Sequence, residues 1–196
     1  MPESESWDYT LCIPNDPRAV TVSRRTLRLI LTLHGLIGLV DIAELLAAEL
    51  AVCTGNLYAV SLHGFDDTSV KKVIVGGRDA RLKRNLLAAF TKYGLTSPAT
   101  DPDWNVTVVL ADPSSSIDGD DPANIVNRTR TGGGAQLEIS TALRKAMFGD
   151  FSGAAKRRTT AGVPSAASPD ADHFWTGFVG AVREAVKNHE RGLDAL

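Results

Sequence analysis

Apolar positions along the chain form short runs, and their spacing switches between strand-like alternation and helical recurrence at three and four residues. Val20 to Leu33 carries two such runs. The second, Leu27 to Leu33, is predicted as a largely buried strand. Gly38 breaks the chain, and Leu39 to Val52 has helical length with Asp41, Glu44 and Glu49 on one broad face. Leu57 to Leu62 and Lys72 to Val75 are predicted strands, the latter stopped by Gly76-Gly77. Asp79 is a suitable N-cap for a helix carrying Leu82, Leu86, Phe90 and Tyr93 on one side, with Gly94 ending it. Val106 to Leu110 is another strand. Gly132-Gly133-Gly134 precedes Ala135 to Ile139, where apolar and polar residues alternate cleanly. Ser140 can cap a short helix containing Leu143 and Met147, which Gly149 ends.

Strands alternating with helices predict an α/β sandwich on a mixed, mostly parallel sheet, here taken as one domain over residues 1–196. Residues 149–170 turn to Ala, Ser, Thr, Gly and Pro around Lys156-Arg157-Arg158, the composition of a flexible loop or linker. Residues 171–189 are predicted as the C-terminal helix, with Trp175, Phe178, Val179, Val182 and Val186 on one face.

Length and composition narrow the classes. The 196 residues are 43% hydrophobic and 22% charged, which excludes a wholly disordered chain, a collagen-like repeat and a small disulfide scaffold. Against 23 acidic residues stand 21 Lys and Arg, so the net charge of −2 provides no global field for nucleic acid. A polyanion has to be met by local clusters of Arg and Lys. Cys12 and Cys53 are in no metal spacing; they are two ordinary thiols or one disulfide. The apolar stretch from Leu27 to Val52 contains Arg28, His34, Asp41, Glu44 and Glu49, which argues against a membrane span. The acidic start, Met1 to Ser6, is unlike a secretory leader, so the expected location is cytoplasmic, or outside after release without a signal peptide.

Candidate chemistry gathers at predicted strand ends. His34 and His63 each close an apolar run and each precede a glycine, Gly35 and Gly64. Strand carboxyl ends are where open α/β sheets bind ligands, so the two imidazoles are candidate zinc ligands, or structural histidines. His173 and His189 on the last helix are expected to be surface or packing residues. Glu138 shares a strand face with Gln136; it is either part of a half-exposed polar face or a base that deprotonates water. Asn127-Arg128 could grip a carboxylate, or belong to a solvated loop. The glycine clusters fit neither a phosphate loop nor a dinucleotide fingerprint, and no Gly-x-Ser-x-Gly elbow occurs.

Together these segments resemble the poly-γ-glutamate hydrolase family of bacteria and their phages. The similarity is carried by Asp121-Pro-Ala-Asn-Ile-Val-Asn-Arg128, then Gly134-Ala-Gln-Leu-Glu-Ile139 and Leu143-Arg144. Val60-Ser-Leu-His-Gly64 with Val75-Gly-Gly-Arg-Asp79 and Leu82 adds to it, as do Asp8-Tyr9, His34-Gly35 and Glu44. The resemblance implies a three-layer, zinc-carboxypeptidase-like fold and a zinc hydrolase acting on the γ-amide bonds of an anionic poly-γ-glutamate-like polymer. It implies one zinc on His34 and His63, Glu138 as general base, and Asn127 and Arg128 as substrate-binding residues. Nucleic acid and membrane are not expected partners.

Two departures stand out. Five residues past the first histidine, where the family places a glutamate as third zinc ligand, this chain has Leu39, among Leu36, Ile37 and Val40. The two His-Gly segments lie fewer than thirty residues apart, without the family's further strand and loop. The alternative reading is therefore a catalytically impaired member that binds polyanions through Arg78, Arg81, Lys83, Arg84, Arg128, Arg130 and Lys156-Arg157-Arg158.

Overall fold

The computed structural model describes residues 19–40, 43, 56–96 and 101–192. Cys12, Cys53, Asp8, Tyr9, Asp41, Glu44, Glu49 and most of the helix expected over Leu39 to Val52 lie outside the described residues. Four strands form one sheet: β1 (Val60–Phe65), β2 (Lys72–Gly76), β3 (Thr107–Leu110) and β4 (Ala135–Ser140). Their spatial order is β1-β4-β2-β3. β1 runs parallel to β4 and β2 parallel to β3, while β2 and β4 are antiparallel. The sheet is mixed and mostly parallel, and the α/β class is the one the sequence predicts.

Among the described residues, the helices that accompany it include α1 (Ala19–Leu33), α2 (Ala80–Lys92), α3 (Thr141–Ala146), α4 (Ala154–Thr160) and α5 (Ala171–Glu190). The core lies on one sheet face, where Val73, Val75, Leu137 and Ile139 meet Leu82, Leu86 and Phe90 of α2 and Phe174 and Phe178 of α5. Phe90 and Phe178 rings approach to 5.5 Å between centroids. Asp79 caps α2 by accepting from the Leu82 N–H (2.9 Å), and Ser140 caps α3 by accepting from the Leu143 N–H (3.2 Å). Gly94 at φ +69 closes α2, as expected from sequence.

Three expectations change. Leu27 to Leu33 is helical, not a strand. Ser23, Leu27, Ile30 and Leu31 recur at helical spacing as its inward side, and Gly35 at φ +71 ends it. The Gly35 N–H donates to the Thr32 carbonyl (3.1 Å) and the Leu36 N–H to the Leu31 carbonyl (2.8 Å), the paired bonds of a glycine C-cap. His34-Gly35 is thus a helix stop. The stretch 149–170 contains a helix, α4, which Gly153 precedes. On α5 the buried face is Phe174, Gly177, Phe178, Ala181 and Ala185, with Trp175, Val179, Val182 and Val186 half-buried. Small residues take the centre because α2 and α5 pack closely: a Cβ on Gly180 would strike the Tyr93 ring.

The end of α5 is tied to the start of α2 by a buried histidine. His189 faces Asp79 through Nε2 (3.1 Å to Oδ2), and its Nδ1 accepts from Arg81 Nε (3.3 Å). The Tyr58 ring stands edge-on against it at 4.6 Å, its phenol pushed up to about 12 by burial and by Glu190. Burial holds the His189 imidazole below its ordinary value of 6.5; Arg81 adds to this and Asp79 and Glu190 oppose it. The neutral ring is the folded form, so as pH falls the unfolded chain takes up the proton first. This contribution to stability is complete above pH 6.5 and declines below it. Lowering the pH from about 7.5 to about 5.5 should reduce the melting temperature more in the natural chain than in His189→Gln, by a few degrees. Equal losses in the two proteins would remove His189 from the acid response.

Candidate active site

Strand β4 lies between β1 and β2 and is buried along its whole length. Its alternation sends Ala135, Leu137 and Ile139 into the core, leaving Gln136, Glu138 and Ser140 on the opposite face. The parallel register sets His63 beside Glu138 and Ser61 beside Gln136. From the other side Ile74 stands next to Glu138. Glu138 is 6% exposed and Gln136 5%, whereas His63 is exposed on the edge strand. The Ser61 hydroxyl oxygen is buried on this face without a hydrogen-bond partner.

The buried carboxylate is held by a chain of amides. Gln136 Nε2 donates to Glu138 Oε1 (2.9 Å), and Gln136 Oε1 accepts from Asn124 Nδ2 (2.9 Å). Asn124 Oδ1 in turn accepts the Val126 N–H (3.2 Å), capping the short 3-10 turn Ile125–Asn127. Each amide therefore has its oxygen committed, which fixes which end of Gln136 faces the carboxylate.

The segment 118–127 lies against Gln136 on this face. The Gly77 N–H donates to the Asp118 carbonyl (2.8 Å), and Gly119 rests on Gln136. A Cβ on Gly119 would lie 3.0 Å from Gln136 Cβ and 3.2 Å from its Oε1, and the residue sits at φ +69. Asn127 is buried with its amide fully engaged: Nδ2 donates to the Gly119 (2.7 Å) and Asp121 (2.9 Å) carbonyls, and Oδ1 accepts the Arg78 N–H (3.3 Å). Arg128 is exposed and donates from Nε to the Ala123 carbonyl (3.1 Å). At the end of β1, Arg144 Nη2 donates to the Phe65 carbonyl (3.3 Å) and to Thr141 Oγ1 (2.8 Å).

Of the sequence-derived candidates, the fold brings His63 and Glu138 together and sets the Asn127-Arg128 turn over the same sheet face. His34 is exposed at the end of α1, and Leu39 is 52% exposed in the turn Ile37–Leu39. Among the described residues no three of His, Cys, Asp and Glu are grouped to hold a metal ion. A closed or catalytic zinc site takes at least three protein ligands, so the described donors do not complete one. Sequence reasoning did not single out Asn124 and Gln136 as site residues. Gln136 carried a signal, its place on the Glu138 face of an alternating strand; the bond from Asn124, twelve residues away, carried none.

Comparison with known proteins adds the context. The poly-gamma-glutamate hydrolase family matches residues 44–168, most of the chain. The chain belongs to the poly-gamma-glutamate hydrolase family. That match spans His63, Asn127, Arg128 and Glu138; His34 and Leu39 precede it. Among solved structures, a bacteriophage poly-gamma-glutamate hydrolase superposes with a TM-score of 0.57 at 27% identity, covering 73% of this chain and 58% of that one. A zinc-free apo form of YndL gives 0.56 at 26% identity, covering 72% and 58%. YndL of Bacillus subtilis (strain 168) is 35% identical over 100 residues, which is 50% of this chain and 35% of that protein. The SPbeta prophage-derived YoqZ of the same organism is 31% identical over 100 residues, 51% and 32% of the two lengths. The chain thus spans about a third of the length of these curated relatives. No helix among the described residues is long and apolar enough to cross a membrane.

In this family member the roof over Gln136 depends on Gly119. Gly119→Ala should cost about 1–3 kcal/mol, since it places a side chain at positive φ against a packed amide. Denaturant unfolding of both proteins measures it; a loss below about 0.5 kcal/mol would show that the loop yields freely.

Proposed function

We propose that this chain hydrolyses γ-amide bonds in poly-γ-glutamate or a related γ-glutamyl polymer, with Glu138 as general base. The observation that carries the reading is Glu138 itself: a buried carboxylate, held through one oxygen by Gln136, next to exposed His63 near the end of a parallel strand pair. A base so placed takes a proton from water as the water oxygen attacks the amide carbonyl carbon. It returns the proton to the nitrogen as the C–N bond breaks, releasing amine and carboxylate. The exposed Arg128 guanidinium suits a substrate carboxylate, and Asn127 supports it by pinning the loop that carries both. The reading takes residues 1–196 as one domain.

Zinc enters this reading through the family and through the zinc-free form recorded for YndL. The donors assigned to it are His34 and His63, and bound zinc would polarise a substrate carbonyl or acidify a water. Two imidazoles, with no third protein ligand grouped with them among the described residues, imply weak binding. That observation favours a second reading, a catalytically impaired member that binds the polyanion through exposed arginines such as Arg128 and Arg130.

Incubation with poly-γ-glutamate, following chain length with and without chelator, separates the two readings. Glu138→Gln should lower hydrolysis by about 10²–10⁴-fold with melting temperature and zinc content nearly unchanged. Activity within a few-fold of the natural chain would take Glu138 out of the mechanism. Calorimetric zinc titration tests the metal side: Leu39→Glu should bind zinc more tightly than the natural chain, because a third anionic ligand adds coordination and neutralises charge. Tight binding by the natural chain, unimproved by the substitution, would place the third ligand elsewhere.

A further inference from the structure

We infer that Gln136 is a positioning residue for Glu138, and that Asn124 sets the orientation in which it works. The inference rests on Glu138 being the base. A carboxylate on a buried strand can rotate about its side-chain bonds unless a neighbour holds it, and rotation takes the reacting oxygen off line with the water. Gln136 is two residues away on the same strand face, and its Nε2 donates to Oε1 at 2.9 Å, both side chains being more than nine-tenths buried. The bond occupies one carboxylate oxygen and leaves Oε2 for the proton transfer. A glutamine can present either end, and the wrong end would set a carbonyl oxygen against a carboxylate oxygen. Asn124 decides between them: its Nδ2 claims Gln136 Oε1 at 2.9 Å, and the Val126 N–H fixes Asn124 in turn at 3.2 Å. Gly119 packs against Gln136 so closely that a Cβ there would lie 3.0 Å from Gln136 Cβ and 3.2 Å from its Oε1. The chain Val126 N–H, Asn124, Gln136, Glu138 is a single directed series of donors ending on the reacting group.

The inference predicts a division between turnover and binding. Gln136→Met keeps the side-chain bulk but loses the donor, and should lower kcat by about 10- to 100-fold with KM within about two-fold. Asn124→Ala should act in the same direction and less strongly. The double variant should be no slower than Gln136→Met alone, because both changes break one series. Side-chain amide resonances of the natural chain give a readout independent of turnover. The Gln136 amide hydrogens should exchange slowly with solvent and should move in Glu138→Gln. Gln136→Met with unchanged kcat, in a protein that Glu138→Gln inactivates, overturns the positioning role and leaves the base reading standing. Retained activity in Glu138→Gln, or no hydrolysis by the natural chain, overturns the base reading and the positioning role with it. Fast exchange of the Gln136 amide, as in an exposed glutamine, overturns the hydrogen bond itself, whether or not the variants fold.

Discussion

Burial of a carboxylate on a central strand is the constraint around which this structure is arranged. Glu138 is 6% exposed on a strand with neighbours on both sides, and a charge in that place is costly unless donors meet it. No cation supplies them in any contact the structure shows for Glu138; an amide does. That amide has an oxygen of its own to satisfy, and Asn124 satisfies it. The need passes outward along the chain of bonds until it reaches a backbone N–H at a turn. The turn has to exist, and has to stand over the sheet, for β4 to keep its polar face inside.

The same requirement accounts for the glycines and asparagines between the last two strands. Asn127 ties the Gly119 and Asp121 carbonyls to the Arg78 N–H, so one side chain joins the roof to the loop after β2. The Asp118 carbonyl takes the Gly77 N–H, and the Gly134 carbonyl takes the Asp79 N–H. These loops are stitched by backbone bonds at close approach, which is why so many of their positions lack a side chain. Asp79 then caps α2 and meets His189 at the end of α5, so the roof, the first core helix and the last share one anchor. Structural asparagines and the candidate base thus belong to one continuous polar network on the face opposite the hydrophobic core.

Much of this was legible in the sequence, and the misses have physical causes. The four strands, the caps at Asp79 and Ser140 and the glycine stop at Gly94 follow from local chemistry, where one residue type suits one backbone geometry. The face assignment of Glu138 followed from period-two alternation. Leu27 to Leu33 failed because five apolar residues in seven suit a buried strand and a helix alike, and a following glycine ends either. The centre of α5 departs from the sequence expectation because bulk is not the sign of burial at a close helix contact. Close packing of two helices puts alanine and glycine at the contact and moves Trp175 and the valines to its margin. The Asn124 bond lay out of reach altogether, since it depends on how a loop folds back over the sheet.

The two halves of the candidate site stand on different footings. On the carboxylate side Glu138 Oε1, both ends of the Gln136 amide and both ends of the Asn124 amide have partners built by the same strand and the neighbouring turn, and the family match runs through all three residues. On the imidazole side His63 is exposed on an edge strand, His34 caps a helix, and the residue expected to complete the ligand set is an exposed leucine. The proposed orientation of Glu138 needs interior packing, which this chain has. A metal site needs donors converging from separate segments, and convergence depends on the connection between the two His-Gly segments, which is short here. The polar network around Glu138 does not depend on that connection: among the described residues, none of its hydrogen bonds passes through the N-terminal segments. The proposed metal site and the proposed orientation of Glu138 therefore rest on different parts of the fold, the first on how the N-terminal segments are placed and the second on β4 and the turn after Asn124.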